Sequence, residues 1–330
     1  MPIIDFHNHY YPPGYLKALQ SGVSAVEVTI DDHGNARLHY PGDYNIAVPG
    51  QIDLNVRRKM LDDLGIDMQV YTLTTPGTHV ETPATAARLA SLVNDEFAEG
   101  IAAHRNGQSS RFSALATLPL NDPGASVKEL DRAVRQLKFP GAMLFSNVNH
   151  VALADERFYP LYEVANDLGA LLYIHPTHPL GVEAMTDFWL MPLVGFLFDT
   201  TLAASKLVFT GVPDRFPNIT WVLTHLGGAI PYLAERLDRG YRAFKECRVN
   251  IQRPPSEYLK KFYYDTVNFN PDALKLAIAF AGADHLLAGS DYAHQIGSPK
   301  LMLESLRALD ISEADRAAIL GGNAARLLRL

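Results

Sequence analysis

The chain has 330 residues, a formal charge of −7, 48% hydrophobic and 20% charged residues, enough apolar content for one large core and too much for a globally disordered chain. The acidic balance and the lack of a Lys/Arg cluster argue against a nucleic-acid partner, because phosphate backbones are bound by clustered cations. The single cysteine, Cys247, excludes an internal disulfide and fits a reducing cytoplasm.

The chain opens on the apolar run Ile3–Phe6, which Asp5 interrupts, so no secretory leader is expected. Residues 10–50 then delay the first long helix. Within them Val26, Val28 and Ile30 alternate, Asp31–Asn35 reads as a turn, and Ala36, Leu38 and Tyr40 alternate again, the pattern of a hairpin inserted over the barrel mouth. Further short apolar runs follow at Met68–Leu73, Phe112–Leu118, Gly141–Phe145, Leu171–Ile174, Trp221–Leu223, Phe262–Tyr264 and Leu286–Ala288. Helical patterns lie between them at Pro83–Ala103, Asp122–Leu137, Glu156–Leu168, Ile230–Phe244, Pro271–Ala281 and Lys300–Leu309. Short, continuously apolar strands alternating with helices form parallel sheets buried on both faces. Eight such strands predict an α/β fold, a (β/α)₈ TIM barrel, as one domain over 1–330 with a small hairpin insertion after the first strand.

A second insertion is expected over Thr177–Thr201. The most apolar stretch, Phe188–Phe198, is broken by Pro192 and Gly195 and falls short of the roughly 20 residues that span a bilayer. It reads as a packed loop and helix near the barrel mouth or at a subunit interface, and no membrane contact is expected.

The polar residues fall where a barrel carries its chemistry, at the C-terminal ends of strands. The first strand ends Asp5-Phe-His7-Asn-His9, and the period of two turns both histidines the same way. The fifth ends in His175, the sixth in His225 and the eighth in Asp291. One such histidine alone reads more readily as a hydrogen-bonded core residue. Three or four imidazoles and a carboxylate on one rim read as a metal centre, suiting Zn²⁺ first, with Mn²⁺, Fe²⁺ and Co²⁺ as alternatives.

These residues carry a resemblance. Asp5-Phe-His-Asn-His9, Val56-Arg-Arg-Lys-Met60, Ala116-Thr-Leu-Pro119, Lys138-Phe-Pro-Gly141, His175-Pro176, Phe188-Trp-Leu, Leu193-Val-Gly195, Thr224-His-Leu-Gly-Gly228 and Gly289-Ser-Asp-Tyr292 are similar to motifs of the amidohydrolase-2 family, and within it to the aminocarboxymuconate-semialdehyde decarboxylases. The resemblance implies that His7, His9, His175 and Asp291 bind the ion. It implies that His225, with Asp291, handles protons on water at that ion, and that Trp189 lies beside the substrate. It assigns Arg57 to a substrate carboxylate. Arg236 matches an arginine that reaches into a neighbouring subunit's site, which implies a homodimer. Two-metal members need a carboxylated Lys or an acidic residue near the fourth strand; Gly141-Ala-Met-Leu-Phe145-Ser-Asn has neither, so one metal is expected.

The departures are informative. Asp291-Tyr-Ala-His294 and Thr177-His178 replace aromatic positions, and aromatics are missing near Thr75–Val80, so a more polar pocket is expected. His294 could then contact a hydroxyl or carboxylate, while His178 reads as an ordinary loop residue. The retained His-x-His leans away from hydroxybenzoate decarboxylases with Glu-x-His. The expected function is decarboxylation of a small unsaturated or aromatic carboxylic acid. Two alternatives remain: hydrolysis of a lactone, ester, amide or C–C bond at the same site, and a catalytically silent ligand-binding barrel.

Overall fold

The computed structural model describes residues 1–22, 24–40, 43–106 and 109–330. Its framework is eight short strands: β1 Ile4–His9, β2 Met68–Thr72, β3 Phe112–Ala114, β4 Gly141–Phe145, β5 Leu171–His175, β6 Thr220–Leu223, β7 Tyr263–Asp265 and β8 Leu286–Leu287. Neighbours pair in parallel from β1 to β3 and from β4 to β8. Two parallel bridges close the ring, Ala116 to Ala142 and Asn8 to Tyr292. Met143 N donates to Ala116 O at 3.0 Å across one seam, and His9 N to Tyr292 O at 2.7 Å across the other. The result is a closed parallel barrel.

The strands form where the chain can be dry on both sides. Every residue of β1, β2, β4 and β5 is buried, which is why they read as continuous apolar runs. Most strand ends differ from the sequence reading by a residue or more, and two of these shifts change the picture. β3 stops at Ala114 and pairing resumes only at the Ala116 bridge. β7 is shifted by one residue and so includes Asp265, whose carboxylate lies against His7. Several helices start at side-chain caps: the Asp122 carboxylate accepts from Ala125 N at 3.0 Å, and Asp53 accepts from Asn55 N at 2.7 Å, satisfying N–H groups that lack helical partners.

The segment after β1 holds a helix at Pro13–Leu19 and three strands, Glu27–Ile30, Ala36–Tyr40 and Asp43–Ala47, paired antiparallel in that order. The alternation in the sequence had pointed to only two. At the first turn the Asp31 carboxylate accepts from His33 N (2.9 Å) and Asn35 N (2.8 Å), a side chain replacing backbone partners. After β5, the expected insertion does not run to Thr201: a π-helical turn at Met191–Gly195 leads into the helix Phe196–Phe209. Together they are long and apolar enough, by length and composition alone, to cross a membrane. Here Thr200, Ala203, Ala204, Leu207 and Val208 are buried in the barrel's own packing.

Candidate metal centre and cavity

Strand pleat and strand ends bring the polar residues together on one rim. His7 and His9 share a face of β1, with Nε2 atoms 3.1 Å apart. Asp291 Oδ1 lies 3.2 Å from His9 Nε2 and 3.4 Å from His7 Nε2, and Asp291 Oδ2 lies 3.7 Å from His225 Nε2. His7, His175, His225 and Asp291 each offer a ligand atom within 4.8 Å of the others, and so do His9, Asp291 and His294. The structure therefore gathers the four expected ligands, and it brings His225 and His294 as close. Asp291 and His225 both have left-handed backbone, φ 57° and 53°, a strained conformation that tends to persist where a site requires it. Gly289 permits the approach of this turn to β1, because a Cβ there would sit 2.7 Å from His7 Cβ.

The outer nitrogens of three imidazoles are fixed. His7 Nδ1 lies 2.6 Å from Asp265 Oδ2, and His175 Nδ1 lies 2.8 Å from Pro176 O. His9 Nδ1 lies 2.9 Å from Thr72 Oγ1, whose own proton goes to Asn8 O. A carboxylate, a carbonyl and an already-donating hydroxyl can only accept, so all three Nδ1 atoms donate. Each Nε2 is left as a lone pair facing Asp291. This is how a protein orients imidazoles toward a metal ion. Asp265 is itself held by Tyr173 OH (2.9 Å), His225 N (2.8 Å) and Val267 N (3.0 Å).

Charge leads to the same conclusion. Asp265 and Asp291 are buried. Burial raises a carboxyl's pKa, but the neighbouring His7 outweighs it and holds both below the usual carboxylate range. Burial alone would depress His7, but the two carboxylates raise it to about 10. Burial and neighbouring imidazoles instead push His9 down to about 3 and His175 well below the ordinary value. Two buried carboxylates require a positive charge between them. A cation held by the converging lone pairs would supply that charge. The donor set of imidazole nitrogen and carboxylate oxygen fits one divalent ion.

Above this floor lies a cavity of about 560 Å³. His175, His225, Asp291 and His294 open into it. Its walls include Tyr40 and Tyr44 from the inserted sheet, Phe188, Trp189 and Phe196 after β5, and Phe269 after β7. Polar side chains line it beside these aromatics, among them Asn45, Thr74, Asn268 and Gln295, so the wall is mixed. The aromatics absent from residues 75–80 are supplied by other loops, whose folding back over the mouth leaves no periodic signal in the sequence.

The remaining candidates separate. Trp189 lines the cavity with its ring edge-on to Tyr44 at 5.5 Å. His294 lines it beside His9, ring centroids 4.9 Å apart, with Nε2 3.3 Å from Thr74 Oγ1. His178 lies against His150 and does not line it. Arg57 is corrected: it is fully buried and absent from the cavity wall. Its guanidinium donates to Asn8 Oδ1 (2.7 Å), Gln69 Oε1 (3.0 Å) and His9 O, behind the β1 metal face. It braces β1 and does not reach a substrate. Arg236 is exposed on the helix Ile230–Ala243, away from this cavity. The sequence reading missed Asp265 and Thr72. Both end barrel strands, the signal that singled out His175, but the seventh apolar run was drawn one residue short of Asp265.

A parallel barrel whose strand ends carry this histidine and aspartate floor defines a metal-dependent barrel enzyme. The chain belongs to the amidohydrolase family, whose model matches residues 4–330. It is 30% identical to 2-amino-3-carboxymuconate-6-semialdehyde decarboxylase of Dictyostelium discoideum, over 99% of this chain and 91% of that protein. The structure of 5-carboxyvanillate decarboxylase from Sphingomonas paucimobilis superposes with a TM-score of 0.87 at 26% identity, covering 100% of this chain and 99% of that one. The dihydroxybenzoic acid decarboxylase of a Polaromonas species, solved with bound manganese and the inhibitor 2-nitroresorcinol, gives 0.83 at 26% identity, covering 100% and 97%.

Proposed function

We propose that the protein is a decarboxylase of small aromatic or unsaturated carboxylic acids, dependent on one divalent metal ion. The observation that carries this is the convergence of three fixed imidazole lone pairs and Asp291 at the base of an aromatic-walled cavity. The named relatives, all decarboxylases, support the reaction type.

His7, His9, His175 and Asp291 would hold the ion, with Mn²⁺ and Zn²⁺ as the leading candidates. When bound, such an ion polarises a substrate oxygen and lowers the pKa of bound water. The rest of the chemistry is proton placement. The C–CO₂ bond breaks, carbon dioxide leaves, and the electron pair left on carbon takes up a proton. His225 is placed to move that proton: it opens to the cavity, its Nε2 is near Asp291 Oδ2, and its Nδ1 has no hydrogen-bond partner among the described residues. An imidazole can both give and take a proton, so one side chain can serve in either direction. Tyr44, Trp189 and Phe269 exclude water and hold the substrate's flat face. A homodimer is part of the proposal, supported by exposed apolar side chains at Phe198 and Leu202 on the helix Phe196–Phe209 and at Tyr232 on the helix that carries Arg236.

The test is carbon dioxide release from a panel of hydroxybenzoic and carboxymuconate-type acids, run beside ester and lactone substrates. Decarboxylation of at least one acid, lost with a chelator, is expected. Turnover confined to esters or lactones would replace this reading with hydrolysis.

A further inference from the structure

Two of the three fixed imidazoles are held by side chains, His7 by Asp265 and His9 by Thr72. His175 is held by a backbone carbonyl, that of Pro176, whose oxygen lies 2.8 Å from its Nδ1. A carbonyl is aimed only as firmly as its peptide group. The Pro176–Thr177 peptide is trans, so its C=O and the Thr177 N–H are opposite edges of one rigid plane. Thr177 N donates to Ser146 Oγ at 3.2 Å, which fixes the plane and with it the direction of the Pro176 oxygen.

A hydroxyl holds a lone pair toward Thr177 steadily only when its own proton has a fixed acceptor. Asp199 is that acceptor: its Oδ2 takes the Ser146 hydroxyl proton and a second bond from Asn147 Nδ2 at 2.9 Å. The same Asn147 nitrogen donates to His178 O at 3.0 Å, and Ser146 N donates to His175 O at 2.8 Å. Residues 175, 177 and 178 are thus fastened to the end of β4, and the end of β4 to Asp199. Asp199 is buried on the helix Phe196–Phe209, and the donors it meets are a hydroxyl and an amide. Burying a carboxylate against neutral donors is costly, and helix packing alone would be served there by an apolar side chain. Neither Asp199 nor Ser146 lines the cavity or belongs to the cluster of candidate ligands.

We propose that Asp199 and Ser146 are positioning residues for the metal centre: through the Pro176–Thr177 peptide they set the ring of His175, as Asp265 and Thr72 set those of His7 and His9. The proposal rests on the one-metal reading of the site.

The test uses the full-length protein and Mn²⁺ alone, with Kd from equilibrium dialysis, and the visible absorption of the Co²⁺-loaded protein as a report of ligand geometry. Ser146→Ala and Asp199→Leu, checked for folding by circular dichroism, are each expected to weaken Mn²⁺ binding about 10–100-fold, the usual effect of losing a group behind a ligating imidazole, and to shift the Co²⁺ bands. The double variant is expected to lose no more than the weaker-binding single one, because the two side chains act in series. Asp199→Asn, whose amide oxygen can still accept both hydrogen bonds, is expected to restore most of the affinity. Should Asp199→Leu not fold, Ser146→Ala carries the test alone. Unchanged Kd and Co²⁺ bands in Ser146→Ala overturn the proposal. So do additive losses in the double variant, or an Asp199→Asn as weak as Asp199→Leu, which would assign the effect to charge. A parent protein that binds no Mn²⁺ refutes the one-metal reading and this proposal with it, a failure distinct from equal binding by parent and variants.

Discussion

The floor and the walls of the cavity are built by opposite means. On the floor, His7, His9 and His175 come from strand ends, are buried, and have their outer nitrogens fixed by Asp265, Thr72 and Pro176. On the walls, Phe188, Trp189 and Ile296 come from loops and are exposed, at 85%, 53% and 63%. A rigid barrel can aim three lone pairs at one point because each ring's rotation is set by a hydrogen bond behind it. Loops on that scaffold are free to vary in shape, and so they set which acid fits. His225 stands between the two: it follows a strand end, but its Nδ1 has no partner among the described residues, which suits a group that must gain and lose a proton.

This contrast can be broken at several points. Asp291→Asn should have the largest effect, lowering kcat by roughly 10²–10⁴-fold with the fold intact by circular dichroism; near-normal turnover would remove Asp291 from the chemistry. Arg57→Ala should leave the buried Asn8, Gln69 and His9 carbonyl acceptors without a donor, at about 1–3 kcal/mol for each unsatisfied group, read in urea unfolding with KM little changed. A raised KM at unchanged stability would restore Arg57 to the substrate. Asp265→Asn should weaken metal binding about 10–100-fold, the usual effect of losing a carboxylate behind a ligating imidazole, and equilibrium dialysis measures it. Trp189→Ala should have the smallest effect, about 1 kcal/mol or roughly fivefold in KM with kcat unchanged. If the wall variant lost metal, or the Asp265 variant changed only KM, the separation of floor from walls would fail.

Much of this was legible in the sequence, and the reasons are physical. Strands dry on both faces must be apolar throughout, so the barrel announced itself. His7 and His9 were readable because the pleat repeats every two residues, and His175, His225 and Asp291 because they follow apolar runs. Asp265 escaped because the boundary of β7 was displaced by one residue, and a strand end shows no sharper edge than that in an apolar run. Arg57 was misread because its acceptors, Asn8, His9 and Gln69, are distant in sequence from it or lie on another element. The aromatic walls depend on how Tyr40 and Tyr44 of the inserted sheet and the segment Phe188–Phe196 come to lie over the mouth, and no local periodicity encodes that.

The most direct test of the metal centre is elemental analysis of the full-length protein after loading with Mn²⁺ or Zn²⁺ and removal of excess ion. About one equivalent per chain is expected, falling to near zero in His7→Ala and His175→Ala variants that remain folded. A protein that takes up no ion, or variants that retain the full equivalent, would contradict it.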